Sequence, residues 1–363
     1  MAVCAARNAL HLGSLVAALT ACLSAVPAFG QSAASPTPSP TPALPSSPTP
    51  SPTPALEHSL HSTPADALNA VLSRAEKETG LRVVAFGEYH QTTATAKKGA
   101  PVSSLRRFSG ELFGVLSPRA SDIVLETWVT DGNCGKQETT AVAKVEKTTE
   151  RPQNTENELV TLVKQAKASG VQPHILRLGC DDYKSILADD GQVDFEKLLG
   201  LLTRLLHKKI SAIATARSRP AAVPTASAAS PTAPSKDGGA DTAPTATGPA
   251  TVPAGSAAPA TPPAAPAEPA ANKLILVYGG GLHNDLQPRA ELAPYTFGPK
   301  VLDEQNGRYL EVDLYVPEYI ERDPSMLKEP WFALYKKRVR PGQTTVIRRQ
   351  QGSYIIVFPR RRG

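Results

Sequence analysis

Cysteine is scarce in this chain, with four in 363 residues, and two of them, Cys4 and Cys22, fall within the first thirty positions. No Cys-x-x-Cys pair occurs, so a dithiol redox centre has no footing. The Gly-x-Ser-x-Gly elbow, the Walker loop and the dinucleotide fingerprint are absent too, which counts against serine esterases and nucleotide-binding enzymes. Long apolar runs are also wanting. The only candidate, Leu15 to Ala28, is interrupted by Ser, Thr and Pro and is short for a membrane span. Large apolar side chains are nearly missing from 32–56 and 219–271, which hold 21 of the 35 prolines. Such Ala, Ser, Thr and Pro tracts cannot bury enough surface to offset the entropy of ordering.

What remains, about 253 residues, suffices for one sizeable core interrupted by an insertion. The expected organisation is a signal peptide over 1–30, a Pro/Ser/Thr-rich disordered linker over 31–56, a single domain over 57–217 and 272–363, and an Ala/Pro/Thr-rich disordered insertion over 218–271. Arg7, the apolar run and the small residues Ala28 and Gly30 predict export with cleavage after Gly30, hence a secreted or periplasmic protein. Leu19-Thr20-Ala21-Cys22 offers the alternative of a lipoprotein anchored at Cys22. The SPTP repeats favour polyproline II, about 3.1 Å per residue, a semi-rigid stalk that would hold the domain off the cell envelope. Net charge is +6, but Lys and Arg are scattered and no nucleic-acid motif occurs, so no nucleic-acid partner is expected. Arg360-Arg361-Arg362 reads as a solvated tail with at most weak attraction to an anionic surface.

Within the domain, apolar strands alternate with amphipathic helices. Ser62-Thr63-Pro64 starts a helix with Leu68, Val71, Leu72 and Ala75 on one face, and Gly80 stops it. A strand over 82–86, a helix through Leu105 to Leu116, a strand over 122–126, a helix over 158–168, a strand over 174–178 and a long helix from Phe195 to about Ala216 follow. Lys273 to Tyr278 resumes as an apolar strand. The alternation predicts an α/β fold with a mostly parallel sheet flanked by helices. Residues 308–316, 344–349 and 353–358 are expected as antiparallel strands added near the C-terminus, the last two joined by a tight turn.

Chemistry-bearing residues gather at strand ends, where open α/β sheets hold ligands. The first strand runs into Gly87-Glu88-Tyr89-His90, the second ends in Glu126, and 274–278 runs into Gly279-Gly280-Gly281-Leu282-His283-Asn284. Two imidazoles and one or two carboxylates can hold a divalent metal and leave a position for water. Without metal they can serve as general base, orienting carboxylate and stabiliser of developing charge. Arg177, basic within an apolar strand, needs a partner such as Asp181 or Asp182, or else binds a substrate carboxylate. Tyr89 is either a core aromatic or an axial ligand to haem iron. In an oxidising compartment Cys134 and Cys180 are expected to pair, closing a loop worth about 4 kcal/mol.

The paired Gly-x-x-His motifs, Gly87-x-x-His90 and Gly280-x-x-His283, with the GEYH form of the first and Glu126 between them, resemble the superfamily that unites Tiki and TraB metalloproteases, erythromycin esterases and ChaN-like iron-regulated lipoproteins. The resemblance covers most of 65–290. It implies an α/β fold and a site formed by Glu88, His90, Glu126 and His283. Two functions are compatible with it. One is a metal-dependent hydrolase of amide or ester bonds, with His90, Glu88 and His283 catalytic and a small-molecule or peptide substrate. The other is a haem- or iron-binding protein without turnover, with Tyr89 and Arg177 in the cofactor pocket. The chain departs from the superfamily in the insertion before the strand leading to His283 and in its GGLHND sequence.

Overall fold

The computed structural model describes residues 56–89, 102–149, 155–188, 190–218 and 273–361. The expected signal peptide, nearly all of the stalk and the insertion, and His90, lie outside the described residues. Helix α1 (Pro64–Thr79) begins where the sequence predicts: Thr63 Oγ1 accepts from Asp66 N at 3.1 Å, Pro64 takes the first turn, and Gly80 ends it with φ 71°. Its apolar stripe, Leu68, Val71, Leu72 and Ala75, is buried.

Eight strands form one sheet: β1 (Glu57–His61), β2 (Val83–Glu88), β3 (Ala120–Thr130), β4 (Gln172–Leu178), β5 (Leu274–Gly280), β6 (Tyr309–Tyr315), β7 (Thr344–Gln350) and β8 (Ser353–Val357). Their order is β1-β7-β8-β6-β2-β5-β3-β4. β2 is flanked by β5 and β6 and parallel to both; β3 and β4 continue the parallel set on one side, and β8 continues it on the other. The antiparallel addition is centred on β7, which pairs with β8 in a hairpin and with β1 at the margin. β6 was expected among the antiparallel strands, yet it is interior and parallel. Its run YLEVDLY is buried from Tyr309 to Leu314, the near-continuous burial of a central strand. β1 has no apolar alternation to announce it; three of its five residues are exposed.

Two layers of helices cover the sheet. Successive strand residues point to opposite faces, so each strand feeds two cores. On one face Val84, Phe86, Leu276, Tyr278, Leu310 and Leu314 meet α1 and the run α2 (Ser104–Arg107), a π turn (Phe108–Leu112) and α3 (Phe113–Leu116), with α5 (Thr155–Ala168) alongside. On the other, Val83, Ala85, Val124, Ile275 and Val277 meet α4 (Lys136–Thr149), α6 (Cys180–Ile186), the 24-residue α7 (Phe195–Ser218) and, beyond the short α8 (Gly281–Asn284), α9 (Gly298–Glu304). A smaller core on this second face packs α10 (Pro317–Ile320) and α11 (Pro330–Arg338) on β7 and β8. Cys134 and Cys180 form the expected disulfide, with Cα atoms 5.1 Å apart, joining the loop after β3 to the start of α6.

Candidate functional site

Because β2 and β5 are neighbours, the two glycine motifs stand side by side, with Gly87 opposite Gly279 and Glu88 opposite Gly280. On the face covered by α7 a single row crosses four strands: Asp313 on β6, Gly87 on β2, Gly279 on β5 and Glu126 on β3. The glycines make room for the carboxylates at either end. A Cβ on Gly279 would come within 2.3 Å of Glu126 Oε2, and one on Gly87 within 2.4 Å of Asp313 Oδ1. Both glycines are therefore berths for acidic side chains, beyond any role in turning the chain.

Glu126 reaches this face by the ordinary alternation of β3, between Val124 and Trp128 of the same core, while the pairing of β3 with β4 is irregular between Leu125 and Trp128. One oxygen is fixed: Oε2 accepts the Gly280 N–H at 2.7 Å. The other, Oε1, lies 3.3 Å from His283 Nε2, and both residues are almost wholly buried. The separation lacks hydrogen-bond geometry, so Oε1 and Nε2 are each left without a hydrogen-bond partner. The other edge of the imidazole is firmly held. His283 Nδ1 lies 2.8 Å from the Tyr295 carbonyl and 2.9 Å from Thr203 Oγ1, so it carries the proton and donates to the carbonyl. Burial acts to lower the pKa of His283, but the Glu126 carboxylate outweighs it and holds the imidazole above its ordinary range.

With Nδ1–H committed, Nε2 presents either a proton or a bare lone pair to a carboxylate. A bare lone pair there is repulsive, so a positive species belongs between the two atoms. A metal fits. Two ligands about 2.1 Å from a tetrahedral ion stand about 3.4 Å apart, close to the spacing found, whereas a strong charge-assisted hydrogen bond would draw them to about 2.8 Å. A histidine whose far nitrogen donates to a backbone carbonyl is also the usual arrangement of a ligating imidazole.

The four expected residues do not all converge. Glu88 lies on the opposite face: it is in register with Leu314, follows Phe86 by two residues and accepts from the Tyr278 hydroxyl. Glu88 is thus separated from the Glu126–His283 pair by the sheet, because Gly87 and Glu88 are successive residues of one strand. His90 lies outside the described residues, and among those described no group of three His, Cys, Asp or Glu is placed to hold one ion.

Tyr89 donates its hydroxyl to Asp323 and packs its ring 6.1 Å from that of Tyr315, so the aromatic is engaged in the structure. Burial, with Asp323 beside it, pushes its pKa up. Arg177 pairs with neither Asp181 nor Asp182. It points outward from the edge strand β4, its side chain 73% exposed and 3.7 Å from Asp131. Asp181 pairs with Lys184 and Asp182 accepts the Gly179 N–H.

Sequence reasoning passed over Thr203, Tyr295, Asn284, Asp313 and Arg349. With its amide turned to satisfy both neighbours, Asn284 accepts from Gly87 N at 3.1 Å and donates to Gly281 O at 2.6 Å, an orientation that ties the turn bearing His283 to β2. Asp313 is 3.0 Å from Arg349, which also contacts the fully buried Glu311. A signal was available: Glu311 and Asp313 are two carboxylates with period two in an apolar strand, and Thr203 interrupts a leucine-rich helix. Tyr295 acts through its backbone and leaves no side-chain signal. No family model, curated protein or solved structure matches this chain.

Proposed function

We propose that the chain is an exported envelope protein of the Tiki, erythromycin esterase and ChaN-like superfamily, and that it is a metal-dependent hydrolase of amide or ester bonds centred on Glu126 and His283. The observation that carries this reading is the approach of Glu126 Oε1 to His283 Nε2 at 3.3 Å, two buried atoms with no hydrogen-bond partner. His90, the residue that follows Tyr89 in the sequence, is the one proposed to complete the set; Glu88 is not, given its face. A divalent transition metal held there would supply Lewis acidity and bring the pKa of a bound water towards neutrality. The chain's own residues supply the rest. Gly280 N–H orients the Glu126 carboxylate, the Tyr295 carbonyl and Thr203 fix the imidazole, and Gly279 keeps the space beside Glu126 free of a side chain.

The test is metal analysis of the purified full-length protein after dialysis, alongside hydrolysis of model ester and peptide substrates. The native chain should retain about one equivalent of a transition metal, and His283→Ala and Glu126→Gln should lose metal and turnover together while keeping native circular dichroism. A native chain that stays metal-free after incubation with zinc, manganese and cobalt would sink the reading. Haem absorbance in the purified protein, lost in Tyr89→Phe, would establish the haem-binding function instead.

A further inference from the structure

We propose that the groove between β1, α1 and the β7–β8 hairpin is a binding site for a small carboxylic acid, and that Glu57 of β1 occupies it as an internal stand-in. The groove encloses about 310 Å³ and lies at the sheet margin bearing β1, several strands removed from Glu126. Two guanidinium groups from different elements converge there on one carboxylate. Arg74 of α1 reaches the two oxygens of Glu57 at 2.6 and 3.3 Å, and Arg348 of β7 reaches one at 3.1 Å. A planar fork meeting a planar carboxylate is the geometry by which arginine recognises acids.

Three further features point to a receptor. The occupant comes from the outermost strand, and its own side chain is 56% exposed. Tyr354, also lining the groove, is 2% exposed, and its hydroxyl has no hydrogen-bond partner. A buried hydroxyl left unpaired costs about 1–3 kcal/mol, which a ligand oxygen would recover. Charge agrees as well. Glu78 is 2.9 Å from both arginines, so withdrawal of Glu57 leaves two guanidinium groups facing one carboxylate, a net positive charge. Ala70, Val71 and Val346 supply an apolar wall, which suits an acid with a short aliphatic body.

An internal competitor weakens the apparent affinity for a free ligand by the fraction of time the site is vacant. Calorimetric titration of the full-length protein with butyrate, and separately with inorganic phosphate, at matched ionic strength tests the proposal. Butyrate should bind the native chain saturably and Glu57→Gln at least tenfold more tightly. Arg74→Lys, which keeps the charge but loses the fork, should bind at least fivefold more weakly than the native chain with circular dichroism unchanged. Tyr354→Phe, whose ring still fills its place, should also weaken binding. The proposal is overturned if the native chain shows no saturable binding even though Glu57→Gln does, for then the fork is a structural clamp. It is equally overturned if Arg74→Lys and Tyr354→Phe both bind like the native chain, or if phosphate is preferred to butyrate.

Discussion

At the scale of single residues, the site depends on two side chains that are absent. Gly279 and Gly87 lie beneath carboxylates whose oxygens would overlap any Cβ placed there. Gly279→Ala should therefore destabilise the fold by about 1–3 kcal/mol, the usual range for overpacking a filled interior. The same change should cost distinctly less in a Glu126→Ala background, since the atoms it strikes are gone. Urea denaturation of the two single variants and the double variant measures the coupling, and additive effects would show that the contact is relieved elsewhere. At the opposite end of β3, Asp122 is 2% exposed and is reached by Ser121 at 2.6 Å, His174 at 2.8 Å and Arg217 at 3.1 Å. Burial pushes its carboxyl up, but His174, Ser121 and Arg217 outweigh that and hold its pKa below the ordinary 3.8. The folded state thus binds fewer protons than the unfolded chain around that value. The stabilisation is complete above pH 3.8 and is lost as pH falls through the lower folded value. Asp122→Asn should lower stability by about 1–2 kcal/mol at neutral pH and flatten the decline below pH 4, followed by denaturation at a series of pH values.

At the scale of elements, the sequence declared the interior better than the margins. The cap of α1, the apolar cores of β2 and β5 and the leucines of α7 were legible because burial and capping leave periodic marks. β3 was expected to end at Glu126 but runs to Thr130, since its pairing with β4 resumes at Trp128 after an irregularity that follows Leu125. Nothing in the residue types alone distinguishes a strand that stops from one that bulges. The predicted helix over 105–116 is interrupted by a π turn, which seats Phe108 4.6 Å from Tyr278 and 5.0 Å from Phe86. The loop after β3 is tethered to α6 through Cys134 and Cys180, 46 residues apart. Replacing both with Ser should lower stability by about 4 kcal/mol in the chain-entropy model, with less loss if the cross-linked loop is already constrained. Thermal denaturation of the oxidised native protein against the double variant decides this, and equal midpoints would mean that the bond adds nothing.

At the scale of the whole molecule, the strand order does what no local pattern could announce. Residues 88 and 280, far apart in sequence, become neighbours because β5 inserts between β2 and β3. Glu88 does end its strand and His283 follows β5 closely, whereas Glu126, expected at a strand end, lies within β3; which face each would occupy depended on register, and register is a property of pairs of strands. The interior position of β6 was missed for the same reason. The segment between Ser218 and Lys273 joins α7 to β5, and both of these are buried in the described core without it. Substituting a short Gly-Ser link for 219–271 should leave the unfolding midpoint within a few degrees, because loop length changes closure entropy by only about 0.6 kcal/mol per doubling. Failure to unfold cooperatively would mean that the segment packs against the domain.

The outermost position of β1 also decides how the molecule bears a load. Tension arriving from residues before Leu56 enters the domain at Glu57, the first residue of a strand whose one strand partner among the described residues is β7. Pulled along its axis, β1 would be sheared, with all five of its register pairs resisting together; pulled sideways, it would peel open one pair at a time from Glu57. In either direction the first links to be strained are those from Glu57 to Arg74 and Arg348. The ion pairs at the end of the strand therefore act as its rivet, and an acid that displaced Glu57 from them would lower the force at which the strand comes away.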